Sequence, residues 1–340
     1  MLHQPSPLNV LAVRFSSIGD VLLTTPLLRA IRRRHPAARI SVLTKQAYVP
    51  LLSHNPHLNQ VLGMAGERTL AGLASELRAR RYTHLLDLHD SFRTRLLRAL
   101  VPGRWRTYPK HRVARSALIH AKRNLYADSR PVPERYFSAA RDLDVKPDGD
   151  PPELFWAPEA GREVDDWLAI RSPTQHRALI ALAPGAAHAT KRWPQEHWLA
   201  LVQLLIAQGF DIALVGGAED IVASTAISNA APEQVLNAAG RFGLQGTAAL
   251  LQRAAAVVSG DTGVMHMATA VGTPVVGLFG PTVEPFGFFP YTARARVVEL
   301  ALDCRPCSSK GGPRCPLGHH RCMRDMHPEL VFEALRRWVS

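Results

Sequence analysis

Short runs of branched and aliphatic residues alternate along the chain with longer runs in which apolar positions recur every three or four residues. The first kind suits strands covered on both faces, the second amphipathic helices. Asn9–Arg14 reads as a strand, Val21–Arg34 as a helix closed by His35-Pro36, Arg39–Leu43 as the next strand, and His84–Leu88 as a third strand entered from the helical run GLASELRARR. The grammar then repeats. Ala178–Ala183 is a predicted strand, Pro194 opens a helix over Gln195–Gln208 that Gly209 closes, and Asp211–Val215 follows as a strand, which makes a βαβ unit. Ala255–Ser259, Asp261–Val271 and Thr273–Phe279 continue as strand, short helix and strand, and 323–339, ending in PELVFEALRRWV, reads as a terminal amphipathic helix. Between the two series, Asp144–Pro158 holds four prolines and interrupts regular structure. The pattern predicts an α/β chain of two Rossmann-like doubly wound domains, 1–158 and 159–340, facing a central cleft. Ligands of such sheets sit beyond the carboxyl ends of the strands.

Composition narrows the class. A chain of 340 residues is about twice the usual domain size, and no run of eighteen apolar residues suggests a bilayer span. MLHQPSPLNVLAVRF runs straight into a strand without a basic and then apolar leader, so no export signal is expected and the cytosol is the default compartment. The net charge of +13 is unevenly placed: residues 1–160 carry 25 Lys and Arg against 13 Asp and Glu, and the remainder is close to neutral. A basic half suits an anionic partner, or is simply a solvated face. The densest stretch, Arg104 to Arg123, has few aromatics suited to base stacking and no recognisable nucleic-acid motif, so no nucleic-acid partner is expected. Four cysteines lie together as Cys304-x2-Cys307-x7-Cys315-x6-Cys322, with His319 and His320 between. In a reducing compartment that spacing points to a structural zinc or iron, or to free thiols.

Four loops can carry chemistry. Asp20 stands at the first strand-to-helix corner, where its carboxylate is either a general base for a hydroxyl nucleophile or the cap of the following helix. The loop Pro184–Pro194 has small residues that let a ligand approach, with the Thr190 hydroxyl and Lys191 ammonium suited to phosphate oxygens; the plain alternative is a turn with solvated cations. It has neither Walker A nor dinucleotide-binding glycine spacing. In Ser259–His266, Gly263 opens a helix whose free N–H groups suit an anion, Asp261 caps that helix or orients donors, and His266 lies one turn in. Glu219 and Asp220, after Val215-Gly216-Gly217-Ala218, could accept from paired hydroxyls or stabilise a first helical turn.

Together these segments resemble the ADP-heptose:lipopolysaccharide heptosyltransferases of glycosyltransferase family 9. The matching pieces are VRFSSIGDVLLTTPLLRAIRRRHP at 13–36, APGAAHATKRWPQEHW at 183–198, LVGGAED at 214–220 and SGDTGVMHMATAVGTPVVGLFGPT at 259–282. The resemblance implies a GT-B fold with an N-terminal acceptor domain, a C-terminal sugar-nucleotide domain and an inverting transfer without a catalytic metal. It implies Asp20 as general base, Lys191 with Thr190 on the donor diphosphate, Asp261, Thr262, Gly263 and His266 around the donor, and Glu219 on its sugar or ribose. The donor would be ADP-L-glycero-D-manno-heptose and the acceptor the anionic inner core of lipopolysaccharide, reached by peripheral contact with the inner face of the cytoplasmic membrane. Arg112, Arg115 and Lys122 are further candidates for acceptor contact, chosen by charge rather than by motif. Under the same resemblance the cysteines are structural. Two other readings stay open: the same fold using a different nucleotide sugar, and a non-catalytic polyanion-binding protein with a zinc module.

Overall fold

The computed structural model describes residues 8–66, 69–171 and 177–339. The first seven residues, where no export signal was expected, lie outside them. The chain forms two compact units, residues 1–110 with 132–155, and residues 111–131 with 156–340.

The first unit holds five parallel strands: β1 (Asn9–Val13), β2 (Arg39–Lys45), β3 (Gln60–Met64), β4 (His84–Asp87) and β5 (Trp105–Thr107). Their order is β3-β2-β1-β4-β5, so the strand order reverses between β1 and β4. Leu11, Val13, Leu43 and Leu85 from the central strands pack with Leu73, Leu77 and Leu97 from the covering helices. The long helix expected over Val21–Arg34 is two helices, Ile18–Leu22 and Thr25–Arg34. Pro26 lacks the N–H that an unbroken helix would use. The Thr24 and Thr25 hydroxyls instead donate to the carbonyls of Val21 and Leu22, each at 2.7 Å.

The second unit holds β6 (Leu179–Ala183), β7 (Asp211–Leu214), β8 (Val235–Asn237), β9 (Ala256–Gly260), β10 (Val275–Phe279) and β11 (Ala295–Glu299), all parallel, in the order β11-β10-β9-β6-β7-β8. Its reversal falls between β6 and β9. Ile180, Leu182, Val258 and Leu278 meet Trp198, Leu201 and Leu205 of the helix Gln195–Ala207, and Val331 and Leu335 of the terminal helix Pro328–Val339 close the same core.

These units divide the chain differently from the expected cut after residue 158. Buried Arg29 makes a two-bond pair with Asp148, 2.8 Å each, meets Glu153 at 3.1 Å and donates to the carbonyls of Asp150 and Pro151. That cation anchors the proline-rich segment to the first sheet as far as residue 155. Residues 111–131, read with the first domain, pack instead with the second unit. There Lys122 Nζ donates to the carbonyls of Cys304 and Pro306, and the Arg115 guanidinium lies over the Phe286 ring. Among the described residues no helix is long and apolar enough to cross a membrane.

Candidate active site

In a doubly wound sheet the loops leaving the two strands at the order reversal diverge and open a crevice. In the first unit those loops follow β1 and β4. Asp20 is the third residue of the helix Ile18–Leu22, so it does not occupy the N-cap position itself. Its Oδ2 accepts from the backbone N–H of Ser17 at 3.0 Å and from the Ser17 hydroxyl at 2.8 Å, and its Oδ1 is paired with Arg14 Nη2. Arg14 is buried and also donates to the carbonyl of Leu88, at the end of β4, and to Tyr108 Oη. Burial opposes the guanidinium charge, but Asp20, with Tyr136 and Tyr108, holds its pKa above the ordinary arginine value. These donors favour an ionised, fixed carboxylate. It keeps 18% of its side-chain surface open. The capping and chemical readings of Asp20 are thus compatible: the helix start orients the group. Arg14 was missed as a site residue. Its signal was a charge directly ending an apolar strand.

In the second unit the diverging loops follow β6 and β9, and a salt bridge joins them. Lys191 Nζ lies 2.6 Å from Asp261 Oδ2 and 3.1 Å from the Asp261 carbonyl, and the Thr282 hydroxyl donates to Asp261 Oδ2 at 2.8 Å. Asp261 therefore does not cap the helix Gly263–Ala270, whose N-cap is Thr262; it orients Lys191. Gly260 permits this approach, since a Cβ there would stand 3.2 Å from the Lys191 carbonyl. The Thr262 and Ser259 hydroxyls share a hydrogen bond of 3.0 Å, Gly263 opens the helix, and His266 is buried one turn along. Thr190 behaves otherwise than expected. Its hydroxyl donates to the Gly312 carbonyl at 3.2 Å and accepts from the Gly312 N–H at 2.8 Å, so it ties the loop to a distant turn and has no proton left for a phosphate.

Glu219 is exposed at the end of β7. Asp220 beside it is the more constrained carboxylate, accepting from the Gly217 N–H at 2.9 Å. Burial raises its pKa against that hydrogen bond, and the charge of Glu219 adds to the rise. Gly185 and Gly216 make its room: a Cβ on either would stand 1.9 Å and 2.6 Å from the Asp220 carboxylate. The small residue at 185, read as space for a ligand, is space for Asp220.

The candidates chosen by charge part company. Arg112 is exposed on the helix Arg112–His120, Arg115 covers Phe286, and Lys122 is engaged by two carbonyls, so its ammonium secures a turn. The cysteine spacing left a structural zinc or iron and free thiols both open. All four thiols are free, and among the described residues no three His, Cys, Asp or Glu side chains are arranged to hold a metal ion. Cys322 is buried beside Gly280, 3.2 Å from where a Cβ would be, and packs into the apolar core with Met323. Burial pushes its thiol up to about 11, and burial raises Cys307 likewise. Arg305 organises the segment instead, donating to the carbonyls of Gly280, Leu300 and Thr282 and pairing with Glu299.

Comparison with known proteins agrees with this geometry. The profile of glycosyltransferase family 9 (heptosyltransferase) matches residues 70–316. Lipopolysaccharide heptosyltransferase 2 of Salmonella typhimurium is 30% identical over 98% of this chain and 99% of its own. The structure of Escherichia coli ADP-heptose LPS heptosyltransferase II superposes with a TM-score of 0.75 at 28% identity, covering 98% of both chains. A family 9 glycosyltransferase from Veillonella parvula gives a TM-score of 0.81 at 21% identity, covering 99% of this chain and 98% of its own, which speaks to fold. With its two parallel α/β sheets of GT-B type and this family match, the chain belongs to glycosyltransferase family 9, the heptosyltransferases, and is a glycosyltransferase.

Proposed function

We propose that the protein transfers heptose from ADP-L-glycero-D-manno-heptose to the inner core of lipopolysaccharide, inverting the anomeric centre. The observation that carries this reading is the Lys191–Asp261 pair at the strand-order reversal of the second sheet, beside the open N-terminus of the helix Gly263–Ala270. In the transfer the bond from the anomeric carbon to the diphosphate breaks while a bond to the acceptor oxygen forms. Negative charge grows on the departing ADP, where the Lys191 ammonium and backbone N–H groups stabilise it. The acceptor hydroxyl loses its proton to the Asp20 carboxylate, whose direction Arg14 and Ser17 fix. These residues supply the positive charge and the base that an inverting transfer needs, so no metal is assigned a step. Glu219 accepts from donor hydroxyls, and His266 lines the donor site.

The first unit then serves the acceptor and the second the nucleotide sugar. An anionic core suits the basic charge of residues 1–160. The acceptor is lipid-linked, which places the protein at the cytoplasmic face of the membrane as a peripheral enzyme. The test is direct. Incubated with ADP-heptose and a heptose-deficient core, the protein releases ADP, and Asp20→Ala lowers turnover by at least about a hundredfold while donor binding, read by calorimetry, stays. Undiminished turnover in that variant removes the base assignment. A panel of nucleotide sugars in the same assay decides the donor, and ADP release with another sugar in preference to heptose overturns that part.

A further inference from the structure

The helix Phe92–Leu100 presents an unusual outer face. Its inner face is ordinary: Thr94 is buried, and Leu97 and the following Val101 join the core of the first sheet. Outward, Phe92 and Leu96 stand one turn apart at 77% and 42% exposure. Residues four apart on a helix lie on the same side, so the two make one apolar ridge. Arg93 and Arg95 are exposed beside it, Arg95 paired with Asp90 at 3.2 Å just before the helix, and the helix itself contains no acidic residue. The ridge is rigidly presented, because Ser91 and Thr94 exchange cap hydrogen bonds at 3.3 and 2.9 Å. Among the described residues another pair of exposed apolar neighbours, Ile221 and Val222, follows Glu219 and Asp220 on a helix without a cation. An aromatic residue at the tip, an aliphatic one a turn away and guanidinium groups around them is the composition of a helix that lies in a membrane interface.

We infer that this face docks onto a phospholipid surface bearing anionic headgroups, with Phe92 and Leu96 entering the acyl boundary and Arg93 meeting phosphates. Charge complementarity selects this occupant. The chain half that carries the helix holds nearly all of the net positive charge, and anionic lipid attracts such clusters over about a Debye length. The functional sense of the contact rests on the lipid-linked acceptor proposed above; the binding itself does not.

The full chain is sedimented with vesicles of phosphatidylcholine alone and of phosphatidylcholine with one third phosphatidylglycerol. The expected result is binding to the anionic vesicles only, weakened about tenfold by Phe92→Asp and about fivefold by Arg93→Gln. Leu96→Gln is the second apolar variant should Phe92→Asp fold poorly. The melting temperature, and ADP release on a delipidated core acceptor, stay at the parent value in all three. Equal binding to both vesicle types, or binding unchanged in the apolar variants, overturns the inference. So does a self-associated species in sedimentation velocity that Phe92→Asp dissolves, because the ridge would then be an interface between copies. The vesicle assay contains no sugar nucleotide, so a failure of heptose transfer leaves its result standing and counts only against the proposed reaction.

Discussion

Lys191 and Asp261 are each nearly closed off from solvent, and each is the other's counterion. Removing one member of such a pair leaves a buried charge uncompensated, which costs about 3–5 kcal/mol. Lys191→Met is therefore expected to lower the melting temperature and to cut kcat with ADP-heptose by about a hundredfold or more. The double variant Lys191→Met/Asp261→Asn separates the two effects: thermal melts recover because no charge is stranded, while the rate stays low because the departing diphosphate still lacks its cation. Recovery of both would mean that Lys191 only neutralises Asp261. His89 offers a test in the first unit. Burial, then the charges of Arg14 and Lys110, lowers its pKa to about 4. An unfolded histidine titrates near 6.5, so between those values the unfolded chain binds the proton and the folded one does not. His89 thus favours the folded state fully above about pH 6.5, and this contribution falls away as pH drops toward 4. Melting temperatures taken from pH 7 to 5 should decline less steeply in His89→Gln than in the parent, and identical slopes would refute it.

The loops after the strands are set by close approaches as much as by hydrogen bonds. Gly185→Ala places a methyl group within 1.9 Å of Asp220 Oδ1 and must displace that side chain from its bond to the Gly217 N–H. A loss of about 1–3 kcal/mol is expected, the usual cost of overpacking. In an Asp220→Ala background the same substitution should be nearly neutral, and additive losses in that double-mutant cycle would argue against the contact. Such tertiary fit explains what could be read from the chain and what could not. The buried central strands β1, β2, β6, β9 and β10 announce themselves as apolar runs, and their expected ends lie within two residues of the observed ones. The short outer strands β5 and β8 and the half-exposed β3 and β11 carry mixed patterns such as Trp105–Thr107 and Ala295–Glu299, where edge positions need no apolar face. The candidate site's geometry was legible where the local sequence places a residue at a strand-end corner, as with Asp20 and Asp261. It was illegible where the partner comes from far along the chain: Gly312 for Thr190, Thr282 for Asp261, and the end of β4 for Arg14.

The chain passes from the first unit to the second after Lys110, returns after Pro131 and crosses again after Phe155. The local pattern of residues 111–131 does not mark the excursion, because the contacts seen there, Lys122 on the Cys304 and Pro306 carbonyls and Arg115 over the Phe286 ring, reach partners far along the chain. It precedes the proline-rich Asp144–Pro158, where the expected cut lies, and so was read with the first domain. The consequence is that the proline-rich segment Asp144–Pro158, within which the first unit ends at Phe155, is not a dividing line between two independent pieces. A chain beginning at Trp156 lacks a part of its own unit, including the Lys122 ammonium that holds the Cys304 and Pro306 carbonyls. The full chain tests this more cleanly than a fragment does. Lys122→Met keeps the aliphatic stem and removes the donor, so two carbonyls of the 304–306 turn lose a charge-assisted partner. Because the contact is partly exposed, a loss of about 1 kcal/mol is expected, or about 2–4 °C in the melting of a unit of this size. Amide exchange should rise in residues 111–131 and 303–308 together, since the one bond site joins both, while the strands of the first sheet keep their protection. Faster exchange in 111–131 alone would mean that the cysteine-bearing turn is held by Arg305 without help, and that Lys122 is only a passenger on its surface.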